Sequence, residues 1–231
     1  MLHRWIFLAI WLGALIGAGW LLAFAEPSIR GVVLQEGGPI EATSAIGYTV
    51  AAAWLLSGEH ARRPGVRPLA FLLLLCTARE LDMQHAFTSG SVSKLSYFLD
   101  PRVAGLEKIL VVAVLAACGL IAFRALVLMP ALMRDFRSGR PHACSTIGVL
   151  VLLPFTKVLD GLHRTLRDTF GFAIEKDTRA MIGAFEENLE LAASLTVLLA
   201  LAQHRALARQ VRSSGATWHD ERERLVRPAR A

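Results

Sequence analysis

Six apolar runs spaced along the chain constrain its fold more than any other feature. They cover residues 5–25, 40–57, 67–87, 106–130, 142–160 and 181–203. Each is close to the ~20 residues that a helix needs to cross ~30 Å of hydrocarbon. Hydrophobic residues make up 54% of the 231-residue chain and its mean hydropathy is +0.47, too apolar for an ordinary soluble domain. The expected fold is therefore all-α: one bundle of six transmembrane helices over residues 1–203, then a basic, mixed-charge cytoplasmic tail over residues 204–231.

Lys and Arg set the expected orientation. Arg4, then Arg62, Arg63 and Arg67, then Arg134, Arg137 and Arg140, then the tail from Arg205 onward, fall on one side of six alternating spans. Cytoplasmic loops carry that excess, which puts both termini inside a bacterial-type inner membrane. The cytoplasmic side then holds 15 Lys and Arg against 5 Asp and Glu, and the outer side 10 against 14. Arg164, Arg167, Lys176 and Arg179, around the fifth connection, weaken the bias without reversing it. The first run also resembles a signal peptide, with Ala23-Phe24-Ala25 as a small-x-small cleavage site before Glu26-Pro27. Its 21 apolar residues exceed the ~7–15 of such a segment, and Trp5 and Trp20 suit the membrane interfaces, so retention is favoured; cleavage would leave five spans.

Most outer acids sit just inside the apolar runs instead of in loops. A carboxylate in hydrocarbon costs several kcal/mol, so such groups mark a functional site or a water-filled cavity. Two copies of Asp-x-x-His stand out: Asp82-Met83-Gln84-His85 closes the third run and Asp160-Gly161-Leu162-His163 the fifth. On a helix, a spacing of three sets the two side chains ~60° apart on one face. A carboxylate and an imidazole then converge on one metal ion, or the Asp orients the His. The sixth run adds Glu186, Glu187 and Glu190 within an arc of ~100°. Carboxylates this close need a metal, an Arg or Lys, or a bound proton. Glu41 follows Gly37-Gly38-Pro39, a turn leading into a helix, and shares a face with Ser44 and Tyr48. Arg79, Lys157 and Arg164 are the expected counter-ions. Glu80 points away from Asp82 and is expected to pair with a cation of a neighbouring helix.

Other chemistries find no pattern. The sequence has no Gly-rich phosphate loop, no Gly-x-Ser-x-Gly elbow and no His-Glu-x-x-His pair. Cys76, Cys118 and Cys144 lack paired spacing and read as apolar filler. The tail suits anionic lipid better than nucleic acid, which would want a larger basic surface with aromatic platforms.

Three functions follow as expectations. The first is a metal-dependent hydrolase or modifier of a lipid or lipid-linked substrate. Asp82, His85, Asp160, His163 and Glu190 would hold a divalent zinc, manganese or iron ion. Glu187 and Glu41 are its catalytic candidates, one serving as base on a metal-bound water. The second is a proton- or ion-coupled transporter, since Asp, Glu and His chains carry protons across membranes. The third is an accessory membrane subunit without catalysis. Membrane lipids are the expected partners, and the sequence leaves the oligomeric state open.

Overall fold

The computed structural model describes residues 2–33, 37–57, 65–83, 88, 95–172 and 174–213. All regular structure among them is α-helical. Each apolar run becomes a helix: α1 (Leu2–Phe24), α3 (Pro39–Leu56), α4 (Val66–Glu80), α6 (Gly105–Arg137), α7 (Pro141–Phe170) and α8 (Lys176–Ser213). Two short helices, α2 (Pro27–Val33) and α5 (Leu95–Leu99), lie in the connections.

Among the described residues, four helices are long and apolar enough to cross a membrane, through Ile6–Phe24, Gly105–Arg137, Pro141–Leu162 and Asp177–Gln210. The six-span expectation is met only that far. The 15 residues of α4 rise ~22 Å, short of the ~30 Å hydrocarbon core. The 18 residues of α3 include Pro39, Glu41, Thr43, Ser44, Tyr48 and Thr49, which dilute its hydropathy.

Turn chemistry fixes the helix ends. Gly37 (φ 75°) and Gly65 (φ 93°) take left-handed backbone just before α3 and α4, and Pro39 and Pro141 occupy first-turn positions where a missing N–H costs nothing. Between α6 and α7 the chain reverses in three residues: Gly139 is left-handed, and the Arg140 N–H donates to the Asp135 carbonyl. Helix α7 continues to Phe170, so Arg164 and Arg167 lie on a helix instead of in the expected loop. It is closed by left-handed Gly171, with the Phe172 N–H donating to the Leu166 carbonyl.

The third run differs from its expectation in a way that matters for the site. Helix α4 stops at Glu80, not near residue 87. The Leu81 and Asp82 N–H groups donate to the Thr77 and Arg79 carbonyls, and Asp82 turns left-handed at φ 50°. Asp tolerates that conformation better than most residues, and it ends the helix. Asp82 therefore stands beyond the end of α4 instead of on its face, and His85, the other half of that motif, lies outside the described residues.

Helix α8 is the axis of the bundle, with α1, α3 and α7 packed along it and α4 packed on α3. Small residues permit close approach: Ala18, Ala45, Ala51, Ala52, Ala184, Ala192 and Ala193 are all buried. Leu152, Leu189, Ala192 and Ala193 form one core with Ile10, Trp11 and Ala14 of α1. Tyr48, Ala51, Ala52, Ala70 and Leu73 form another, with Leu198 and Leu201 packed on it. Phe7 lies against Gly148, and Ser145 Oγ donates to Gln203 Oε1 at 2.8 Å, so α1 begins and α8 ends at the same end of the bundle. Helix α6 stands apart, with only Val111 buried, as a helix surrounded by lipid would.

Candidate functional site

The polar centre of the molecule lies where α3, α4 and α8 meet, toward the end rich in acids. Arg79 of α4 donates through Nη2 to Glu190 Oε1 of α8, and the same nitrogen is 3.5 Å from Glu80 Oε1. The two carboxylate side chains are 2% and 7% exposed, while Arg79 is 32% exposed, so the guanidinium is the part of the network nearest the surroundings. Charged groups removed from water in this way persist when paired, and the pairing here crosses two helices.

Helix α3 lines the opposite side. Its Gly47 faces Ser194 of α8, and a Cβ there would stand 2.8 Å from Ser194 Oγ. That close approach brings the Ser44 and Tyr48 face inward, where both are buried. Tyr48 is within electrostatic range of Glu80, Glu190, Arg79 and Cys76. Among the described residues, Tyr48 OH, Ser44 Oγ and Glu80 Oε2 are buried without a hydrogen-bond partner. Such groups ordinarily find one, so three at one junction signal unused binding capacity. Other polar side chains nearby are satisfied locally: Ser194 Oγ donates to the Leu191 carbonyl at 2.9 Å and Asn188 Nδ2 to the Ala184 carbonyl at 2.8 Å.

More carboxylates surround this core. Glu187 interacts electrostatically with Glu41, Glu190, Glu186 and Glu80. Glu41 sits in the first turn of α3 and accepts a hydrogen bond from the Gly37 N–H, as an acid at a helix N-terminus should. Glu186 is within electrostatic range of Asp160, Lys157 and Arg79 as well as Glu190. Lys157 Nζ donates to Asp160 Oδ2 at 3.0 Å on the outer face of α7. Toward the basic end the apolar core around Tyr48, Ala51, Ala52, Ala70 and Leu73 closes the cluster off.

The sequence-derived candidates thus separate into groups. Arg79, Glu80, Glu190, Glu187 and Glu41 come together, with Glu186 linking them to Asp160 and Lys157. Asp82 is exposed beyond the end of α4. His163 and Arg164 lie on the last turns of α7, and their side chains are outside what is described. Among the described residues, no group of three His, Cys, Asp or Glu side chains is placed to hold a metal ion. Among the described residues, Glu80 is paired by the Arg next to it in sequence, not by a cation of a neighbouring helix. Tyr48 and Cys76 were not candidates, although a phenol on the Glu41 and Ser44 face of an apolar run was a readable signal.

Beyond the cluster, Tyr97 of α5 donates to Glu107 Oε1 of α6 at 2.7 Å. Burial, then the hydrogen bond and charge of Glu107, push its phenol up to about 12.

The fold and its four long apolar helices are compatible with a multi-pass membrane protein. Comparison with protein families, curated proteins and solved structures finds no match to this chain.

Proposed function

We propose that this chain is a six-span inner-membrane protein, with both termini cytoplasmic, that binds a proton or small cation at the Arg79 cluster and couples it to transport. The observation that carries the reading is one guanidinium shared by buried Glu80 and Glu190, with Glu187 and Glu41 beside them and Tyr48 OH, Ser44 Oγ and Glu80 Oε2 unpartnered. Acids outnumber cations there, so a further positive charge is the ligand the cluster favours. Arg79 holds the carboxylates in place, Glu187 carries the exchangeable charge, and Tyr48 supplies a hydroxyl to the bound species. With an apolar core beneath the cluster, exchange of the bound charge would run through the acidic face, as in one half of an alternating-access cycle.

Packing supports retention of the first span. Trp11 and Ala14 complete a core with Leu189 and Ala192, and Gly17 lies against Asn188. Removing α1 would open that core.

The competing reading is a hydrolase of a lipid or lipid-linked substrate with zinc, manganese or iron. It needs His85 and His163 beside Asp82, Asp160 and Glu190. Glu190 is already engaged by Arg79, Asp160 by Lys157, and Asp82 is exposed. Metal content of the purified protein separates the two, since near-stoichiometric transition metal would favour the hydrolase. For the proton reading, proteoliposomes carrying an internal pH dye receive an external acid pulse under a fixed potassium diffusion potential. Wild type should admit protons above protein-free vesicles, and Glu187→Gln should not. Equal flux in wild type and Glu187→Gln would sink it.

A further inference from the structure

At the opposite, basic end a groove of about 620 Å³ opens between α1, the end of α6 and the start of α7. Phe7 and Trp11 form its floor, their rings 5.1 Å apart and pressed against Gly148, where a Cβ would stand 2.7 Å from the Phe7 ring. Val151 and Phe136 extend the apolar wall. Its volume lies within the ~300–1,000 Å³ range of pockets that take a drug-sized molecule.

The rim has the opposite character. Arg137 lines the groove at the end of α6, and Arg134 stands one turn earlier, also exposed. The nearby acid, Asp135, is already contacted by Arg140 and His142, each at 3.4 Å. Among the described residues neither Arg134 nor Arg137 forms an ion pair, so the charge of Arg137 remains at the mouth, with that of Arg134 one helical turn away. Gly139 and Pro141, at the N-terminal end of α7, line the same mouth, and the positive end of that helix dipole adds to them. An apolar slot with an uncompensated cationic rim, set at the end of membrane-crossing helices, matches one chemistry: an acyl chain under an anionic headgroup.

We propose that this groove binds an anionic phospholipid, with its phosphate against Arg137 and one acyl chain along Phe7, Trp11 and Val151. The inference is independent of the carboxylate cluster, which lies at the other end of the bundle. It assigns a lipid to a place, where charge asymmetry alone gives only a general attraction to the membrane surface.

Native mass spectrometry of the full chain in detergent tests it, with phosphatidylglycerol titrated against phosphatidylcholine. Wild type should retain the anionic lipid preferentially. Arg137→Gln should weaken that retention roughly fivefold, the effect of one interfacial cation, and leave phosphatidylcholine unchanged. Arg137→Lys should keep it, and Val151→Trp, which fills the slot from an exposed position, should reduce both lipids. Equal retention of the two lipids by wild type, or unaltered phosphatidylglycerol retention in Arg137→Gln, would overturn the proposal.

Discussion

Arg79 of α4 and Glu190 of α8, 111 positions apart in the chain, meet in a charge-assisted hydrogen bond that ties the α3–α4 hairpin to the axial helix. The same guanidinium reaches Glu80, so one cation compensates two buried acids.

Removing that cation should destabilise the bundle. Breaking a buried pair from one side costs ~3–5 kcal/mol, and the partial exposure of Arg79 lowers our expectation to about 2–3 kcal/mol for Arg79→Gln. Equilibrium unfolding in mixed micelles gives the value. A double-mutant cycle with Glu190→Gln should return a coupling of at least ~1 kcal/mol. Additive single effects would mean the pair contributes nothing.

The α3–α8 contact has its own probe. Gly47→Ala puts a methyl 2.8 Å from Ser194 Oγ and 3.1 Å from its Cβ, which should cost ~1–3 kcal/mol as helix separation or strain. Adding Ser194→Ala removes the nearer clash and should restore part of the loss. An unchanged melting midpoint for Gly47→Ala would show that the two helices are less tightly opposed than described.

The architecture was largely legible because ~20-residue apolar runs have few alternatives. All six become helices, and Pro39 and Pro141 mark their starts where such residues should. The grouping of Glu186, Glu187 and Glu190 was legible too, since they recur at helical spacing and stand within electrostatic range of one another. The end of α4 before Asp82 was not legible, because the sequence does not announce a left-handed residue without glycine. The run 67–87 looks continuous in composition, yet α4 ends at Glu80 through two backbone hydrogen bonds. Partner choice was equally hidden. Periodicity places Glu80 on a face, but only packing decides that Arg79 serves both it and Glu190.

Tyr97 offers a check outside the spans. Its phenol is raised from about 10 to about 12, so the neutral, hydrogen-bonded form is the one the fold favours. Its contribution to stability should be fully present below pH ~10 and lost as pH rises toward 12. In a Tyr48→Phe background Tyr97 is the remaining tyrosine, and its phenolate absorbance reads the titration directly. Glu107→Gln should move that midpoint back toward 10. An ordinary midpoint in the Tyr48→Phe protein would contradict the contact with Glu107.

The most direct measurement is reaction of the membrane-embedded protein with a hydrophobic carbodiimide, followed by peptide mass spectrometry across a pH series. Such a reagent modifies a carboxyl only while it holds a proton. We expect adducts on the glutamates around Arg79, foremost Glu187, that decline as pH rises and are lost at that position in Glu187→Gln. No adduct on Glu41, Glu80, Glu187 or Glu190 at any pH, or labelling indifferent to pH, would contradict a proton-binding centre.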